Sequence, residues 1–179
     1  MTKQRDTILM SVTTLLLIFV LGGIFGFIYE EIFYRIDLGY FVKRGTTLGP
    51  WIPIYGIGSL VVTFFTHRMK DKPVKVFFIG GALCGILEYI TGYMLLRFNN
   101  ERLWDYNKEI WNWGNVNGFI CIRSVLFFAV SSLILMYFII PFVEYVRERI
   151  SRRAFLLISG CLGILFLIDF AAADWFNIY

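Results

Sequence analysis

Histidine is nearly missing from this 179-residue chain. The one copy, His67, stands in a basic stretch with Arg68 and Lys70, a poor setting for a metal ligand or a catalytic base. The cysteines, Cys84, Cys121 and Cys161, are odd in number and lack CxxC spacing, which argues for structural burial over redox or metal chemistry. No GxxxxGK[ST] phosphate loop occurs, so any ATP-driven role needs another subunit. No HExxH occurs, and Ser124 has no base beside it, so no catalytic residue, metal ligand or cofactor is assigned and an enzyme is the less favoured class. Repeats, low-complexity tracts and soluble linkers are also lacking.

Charge is scarce at 17%, and its distribution is uneven. Residues 7–29, 45–66 and 124–143 carry none at all. Each run is about 20 residues long, enough for a helix to cross roughly 30 Å of hydrocarbon. Residues 76–96 and 154–176 are as long but hold isolated carboxylates. With 58% hydrophobic residues and a mean hydropathy of +0.69, these runs predict an all-α, polytopic membrane helix bundle. About five transmembrane helices are expected, near 7–35, 50–67, 75–97, 118–146 and 153–176, in a single integral membrane domain over 1–179. The first run is read as a retained helix, because Tyr29-Glu30-Glu31 follows it where small residues would mark a signal-peptide cleavage site.

The net charge of +4 is read as loop lysine and arginine, not as a nucleic-acid surface. Five crossings put Lys3, Arg5, Arg68, Lys70, Lys72, Lys75, Arg147, Arg149, Arg152 and Arg153 on one side. The smaller set Arg35, Lys43, Arg44, Arg97, Arg102, Lys108 and Arg123 falls on the other. The bias predicts a multi-pass protein of the cell membrane, with a cytoplasmic N-terminus and an extracytoplasmic C-terminus.

The carboxylates within the apolar runs then share one depth. Glu30 and Glu31 close the first, Glu88 interrupts the third, and Asp169 and Asp174 interrupt the last. An ionisable group inside a bilayer is expensive and marks a functional site by default. Together they predict a polar chamber in the outer half of the bilayer. Helical spacing puts Gly22, Gly26 and Glu30 on one face and Gly81, Gly85, Glu88 and Gly92 on another. Small residues at such spacing let membrane helices pack closely. Partners for the glutamates at this depth are Arg35, Arg44, Arg123, Tyr55, Tyr89 and Asn117. A structural pair such as Glu88 with Arg123 and a substrate or proton site are both open.

Two segments carry unusual chemistry. Residues 45–58, GTTLGPWIPIYGIG, read either as a tightly packed helix start or as a partly unwound, cavity-lining one. Residues 99–118 combine Trp104, Trp111, Trp113 and Tyr106 with Asp105 and several asparagines. They predict an interfacial helix or an ordered loop. Pro141 is expected to kink or end the fourth helix.

These blocks in order resemble a known family. They are Glu30–Glu31, RGTTLGPWIPIYGIG at 44–58, LEYITG at 87–92, LWDY at 103–106, NGFICIRS at 117–124, and Pro141. The pattern is similar to that of the ABC-transporter type IV, or CmpB-like, membrane proteins, over roughly residues 25–145. In that family the blocks run RGF-x-x-GP-x-x-PIYG, LEY, WDYS and N-x-x-GRICL-x-x-S. Here Thr46 replaces the phenylalanine, Asn107 the serine, and Phe119 the arginine, while Arg123 follows four positions later. The resemblance implies a permease-type transport component working with a separate ATPase or other membrane subunit. The combined reading assigns Glu30, Glu31, Arg44, Tyr55, Glu88, Trp104, Asp105, Tyr106, Asn117 and Arg123 to binding a small or lipid-like substrate. The alternatives are a membrane-embedded enzyme acting on lipid-linked substrates at the outer leaflet, and a structural or regulatory subunit. The bilayer is the one expected partner besides that subunit; oligomeric state is open.

Overall fold

The computed structural model describes residues 2–175, and side chains over 11–173. Asp174, one of the carboxylates singled out above, lies outside the described side chains. The described residues are helical without strands, in the order α1 (Thr2–Leu38), α2 (Pro53–Thr66), α3 (Pro73–Met94), α4 (Ile122–Ile134), α5 (Ile140–Arg149) and α6 (Arg152–Trp175). Among them, four segments are long and apolar enough to cross a membrane: Ser11–Leu38, Pro73–Asn99, Ile122–Arg149 and Arg152–Ala173. The fold is a membrane helix bundle.

The remaining apolar run, residues 45–66, folds differently from its neighbours. Its helix α2 has 14 residues, about 21 Å, and ends in a 3-10 turn at His67–Met69. Pro50 and Pro53 are the cause. Neither offers an N–H, and each pushes its predecessor out of helical geometry, so the helix starts only at Pro53. Pro141 acts more gently. Its ring would clash with the carbonyl four residues back, and the chain there widens into a π-helical turn, Leu135–Ile139, that carries α4 into α5 without a break.

By contacts the chain forms two compact units. The first comprises the residues up to Leu60 together with those from Phe138 onward. Here α1 packs on α5 and α6. Its core gathers Val20, Trp51 and Phe166, with Phe19, Ile24 and Leu162 against them. The Phe166 ring meets Phe19 and Trp51 edge-on at 4.9 and 5.9 Å. The glycine face of α1 receives residues 51–59. A methyl group on Gly22 would strike Ser59, and one on Gly26 would strike the Tyr55 ring.

The second unit runs from Val61 to Tyr137. Its α3 and α4 are closely packed along the predicted glycine stripe. Added Cβ atoms at Gly81 and Gly85 would meet Ala129 Cβ at 2.9 Å and Ile120 Cδ1 at 3.0 Å. Gly92 takes the rings of Phe119 and Trp104 in the same way. Ser124 caps α4 by accepting from the Cys121 N–H and donating to the Cys121 carbonyl.

Candidate functional site

In the first unit, residues 45–52 are irregular backbone beside membrane-spanning helices. Such backbone survives there only if its polar groups find partners. The donors from Leu48 to Pro53 are all accounted for. Leu48 and Gly49 donate their N–H groups to the two Asp169 oxygens, at 2.9 and 2.8 Å. Trp51 N–H reaches the Gly49 carbonyl, and Ile52 N–H reaches the Gly23 carbonyl of α1. Pro50 and Pro53 have no N–H to place. The Trp51 indole N–H also donates to Asp169, at 2.6 Å. The Thr47 hydroxyl, fully buried, donates to the Trp51 carbonyl. Asp169 is thus the anchor of this segment, a role that its position beside Ala171–Ala173 did not announce.

The same segment carries Arg44 and Tyr55 to Glu30. One Glu30 oxygen accepts from Arg44 Nε at 2.8 Å, the other from the Tyr55 hydroxyl at 3.0 Å. The Arg44 guanidinium lies over the Tyr34 ring at 3.7 Å. Glu30 and Tyr34 are one helical turn apart on α1, so a single face presents both the carboxylate and the ring to one cation. The side chains of Arg44 and Glu30 remain 18% and 16% exposed. Glu31, one position on, is half-buried on a different face of α1.

In the second unit Glu88 is 6% exposed, and its carboxylate accepts the Tyr106 hydroxyl at 2.5 Å. Arg123 stacks its guanidinium over the same Tyr106 ring at 5.2 Å and forms an ion pair with Glu109 at 2.5 Å. Both partners of that pair are largely enclosed, at 12% and 7% exposure. Tyr106 therefore connects Glu88 on α3 with Arg123 on α4. Glu109 is not among the residues the sequence singles out; its one signal there is an acid set between Lys108 and Trp111 in an aromatic loop.

Residues 100–121 form an ordered loop, not a helix. Its knot is Asp105, which takes Arg102 Nη1 at 2.9 Å and the Asn107 side-chain amide at 2.7 Å on one oxygen. Arg102 also donates to the Asn117 carbonyl and lies over the Phe119 ring at 4.6 Å. Asn117 adopts the left-handed conformation and donates its amide to the Tyr89 hydroxyl at 3.0 Å. Trp104 donates its indole N–H to the Phe119 carbonyl at 3.0 Å. Phe119, standing where the family pattern has arginine, is the surface on which Arg102 lies.

The loop has a pH signature. Burial pushes the Asp105 carboxyl up, but the Asn107 amides and the Arg102 charge outweigh it and hold the group below its usual 3.8. A lowered folded-state value means that the stabilisation is complete above 3.8 and is lost as pH falls below it. Near-ultraviolet dichroism of the tryptophans, compared at neutral pH and at pH about 3, is expected to show a larger loss in the wild type than in Asp105→Asn. Equal losses would remove Asp105 as the titrating group.

Among the described residues, no three His, Cys, Asp or Glu side chains converge to hold a metal ion. Of the predicted binding residues, Glu30, Arg44 and Tyr55 come together in one unit, and Glu88, Tyr106 and Arg123 in the other. Trp104, Asp105 and Asn117 hold the loop of the second unit together.

Long apolar helices with carboxylates enclosed among arginines and tyrosines define a multi-pass helical membrane protein. Residues 17–173 match the family described as "Putative ABC-transporter type IV", and the chain belongs to that family. No match was found among curated proteins or among solved structures.

Proposed function

We propose that the chain is the permease-type component of a transporter in the cell membrane, energised by a separate ATPase subunit. Its N-terminus is cytoplasmic and its C-terminus extracytoplasmic. In this reading α2 and its unwound lead-in together make the second of five crossings. Glu30, Glu31, Arg44 and Tyr55 form one part of the substrate-binding surface; Glu88, Trp104, Asp105, Tyr106, Asn117 and Arg123 form another. The substrate is small or lipid-like and is taken up in the outer half of the bilayer.

The observation that carries this reading is the Arg44 cluster. A guanidinium held at Glu30 and over the Tyr34 ring sets a compensated cation and a carboxylate side by side, both partly exposed. Desolvation offsets much of the attraction in such a pair, so it is a poor means of holding a fold together. A binding role explains why the chain tolerates it.

The test uses cells lacking the protein, complemented with wild type, Glu30→Gln or Arg44→Gln, and screened for uptake and export over a broad metabolite set. Wild type is expected to restore at least one flux. Each variant, present at wild-type levels in the membrane, should lower that flux by about ten-fold or more, the scale set by losing one charge-assisted contact. A tagged wild-type chain extracted in mild detergent should bring an ATPase with it. Unchanged fluxes across the screen would refute the proposal.

A further inference from the structure

Beside the α3–α4 contact of the second unit lies an open cleft of about 350 Å³. It is lined by Gly81, Ala82, Gly85, Ile86, Tyr89 and Ile90 of α3, together with Ile120 and Val125. The volume falls at the lower end of the range of ligand pockets, roughly 300–1,000 Å³. Its lining is almost wholly apolar, and Tyr89 is the one lining residue whose side chain carries a polar atom. From Gly81 to Ile90 the cleft follows α3 for about 13 Å, close to the roughly 15 Å of hydrocarbon in one leaflet.

The α3 face bordering the cleft is graded along its length. Ile86 and Ile90 stand 59% and 49% exposed on a membrane-spanning segment. Tyr93 follows at helical spacing, and Arg97 lies just beyond α3 in the π-helical turn Leu95–Asn99; both are exposed. Along the segment the order is Ile86, then Tyr89 with Ile90 beside it, then Tyr93, then the Arg97 guanidinium, so polarity rises toward Arg97. A phospholipid has the matching order of acyl chain, ester and phosphate. Tyr89 accepts its hydrogen bond from Asn117, which leaves its own O–H to donate to an ester or phosphate oxygen. Arg97 then meets the phosphate charge at the level where α3 leaves the apolar region.

We propose that this cleft binds one acyl chain of an anionic membrane phospholipid, with Tyr89 at the ester region and Arg97 at the phosphate. The site lies wholly in the second unit. It does not depend on the Arg44 cluster or on transport.

The experiment takes the full chain in detergent, stripped of lipid and titrated with phosphatidylglycerol or phosphatidylcholine, with bound lipid counted by native mass spectrometry. Wild type is expected to retain one phosphatidylglycerol in preference to phosphatidylcholine. Ala82→Phe puts a ring into the cleft at an exposed position and should weaken retention of both lipids about ten-fold. Arg97→Gln, also on the surface, should abolish the preference between the two while leaving the weaker binding. Equal retention by wild type and Ala82→Phe would overturn the proposal. So would a doubled mass in wild type that Ala82→Phe reduces to a single chain, since the cleft would then hold a second copy.

Discussion

Replacing Asp169 with alanine is expected to release the 45–52 segment and to lower the stability of the protein by about 3 kcal/mol or more. The magnitude follows from what is left behind. The Leu48 and Gly49 N–H groups and the Trp51 indole all donate to this one carboxylate. The Gly49 and Trp51 bonds are part-buried and the Leu48 bond lies at the surface; a buried donor without an acceptor costs about 1–3 kcal/mol, and a donor facing hydrocarbon finds no water to substitute. Trp51 also belongs to the core with Val20 and Phe166, so the loss spreads into the packing of α1 and α6. Asp169→Asn keeps one acceptor oxygen and should lose about half as much. Thermal unfolding in detergent gives the size of the effect, and Trp51→Phe separates the indole's share from that of the backbone. If Asp169→Ala melts with the wild type, Asp169 is not the anchor. The same substitution should also impair the proposed Arg44 cluster, because Arg44 and Tyr55 flank the segment that Asp169 holds.

Gly118→Val should unmake the 100–121 loop. Gly118 has φ +75°, a conformation that a β-branched residue adopts only under strain. Space is lacking as well. A Cβ there would overlap Arg102, Asn107 and the Asp105 carboxylate, the three side chains of the knot. Backbone strain of about 1–3 kcal/mol adds to the loss of that network, so a fall of about 3 kcal/mol or more is expected. The site should suffer too. Tyr106 N–H donates to the Gly118 carbonyl, and Tyr106 carries the hydroxyl held by Glu88. Proteolysis of the loop in the purified protein, with the melting temperature, checks the prediction. A Gly118→Val variant as protease-resistant as wild type would show that the knot does not require the glycine.

The membrane class and the close-packed faces were legible in the residues alone. Uncharged runs of bilayer length permit little but helices, and glycines at 4-3-4 spacing mark where backbones meet; Gly81, Gly85 and Gly92 are indeed covered by α4 and the loop before it. The prolines were legible only in part. Pro50 and Pro53 delay α2, whereas Pro141 merely widens a turn, because a helix start cannot borrow hydrogen bonds from a preceding turn and a helix interior can.

The pairing of the charges belongs to the tertiary structure. Sequence depth put Glu30, Arg44 and Tyr55 at one level, and they do meet. Depth could not tell that Arg123 joins Glu109, or that Asp169 serves backbone amides 120 residues away. Helical periodicity reports the face a residue occupies. Which groups oppose that face depends on how irregular segments fold back, and these follow no period. The chain by itself therefore determined that buried carboxylates would exist and on which helices, since burying apolar length leaves them nowhere else to go. Only the folded backbone decided their partners, because an unsatisfied N–H or guanidinium in hydrocarbon is costly enough to draw in whichever acceptor the loops can reach.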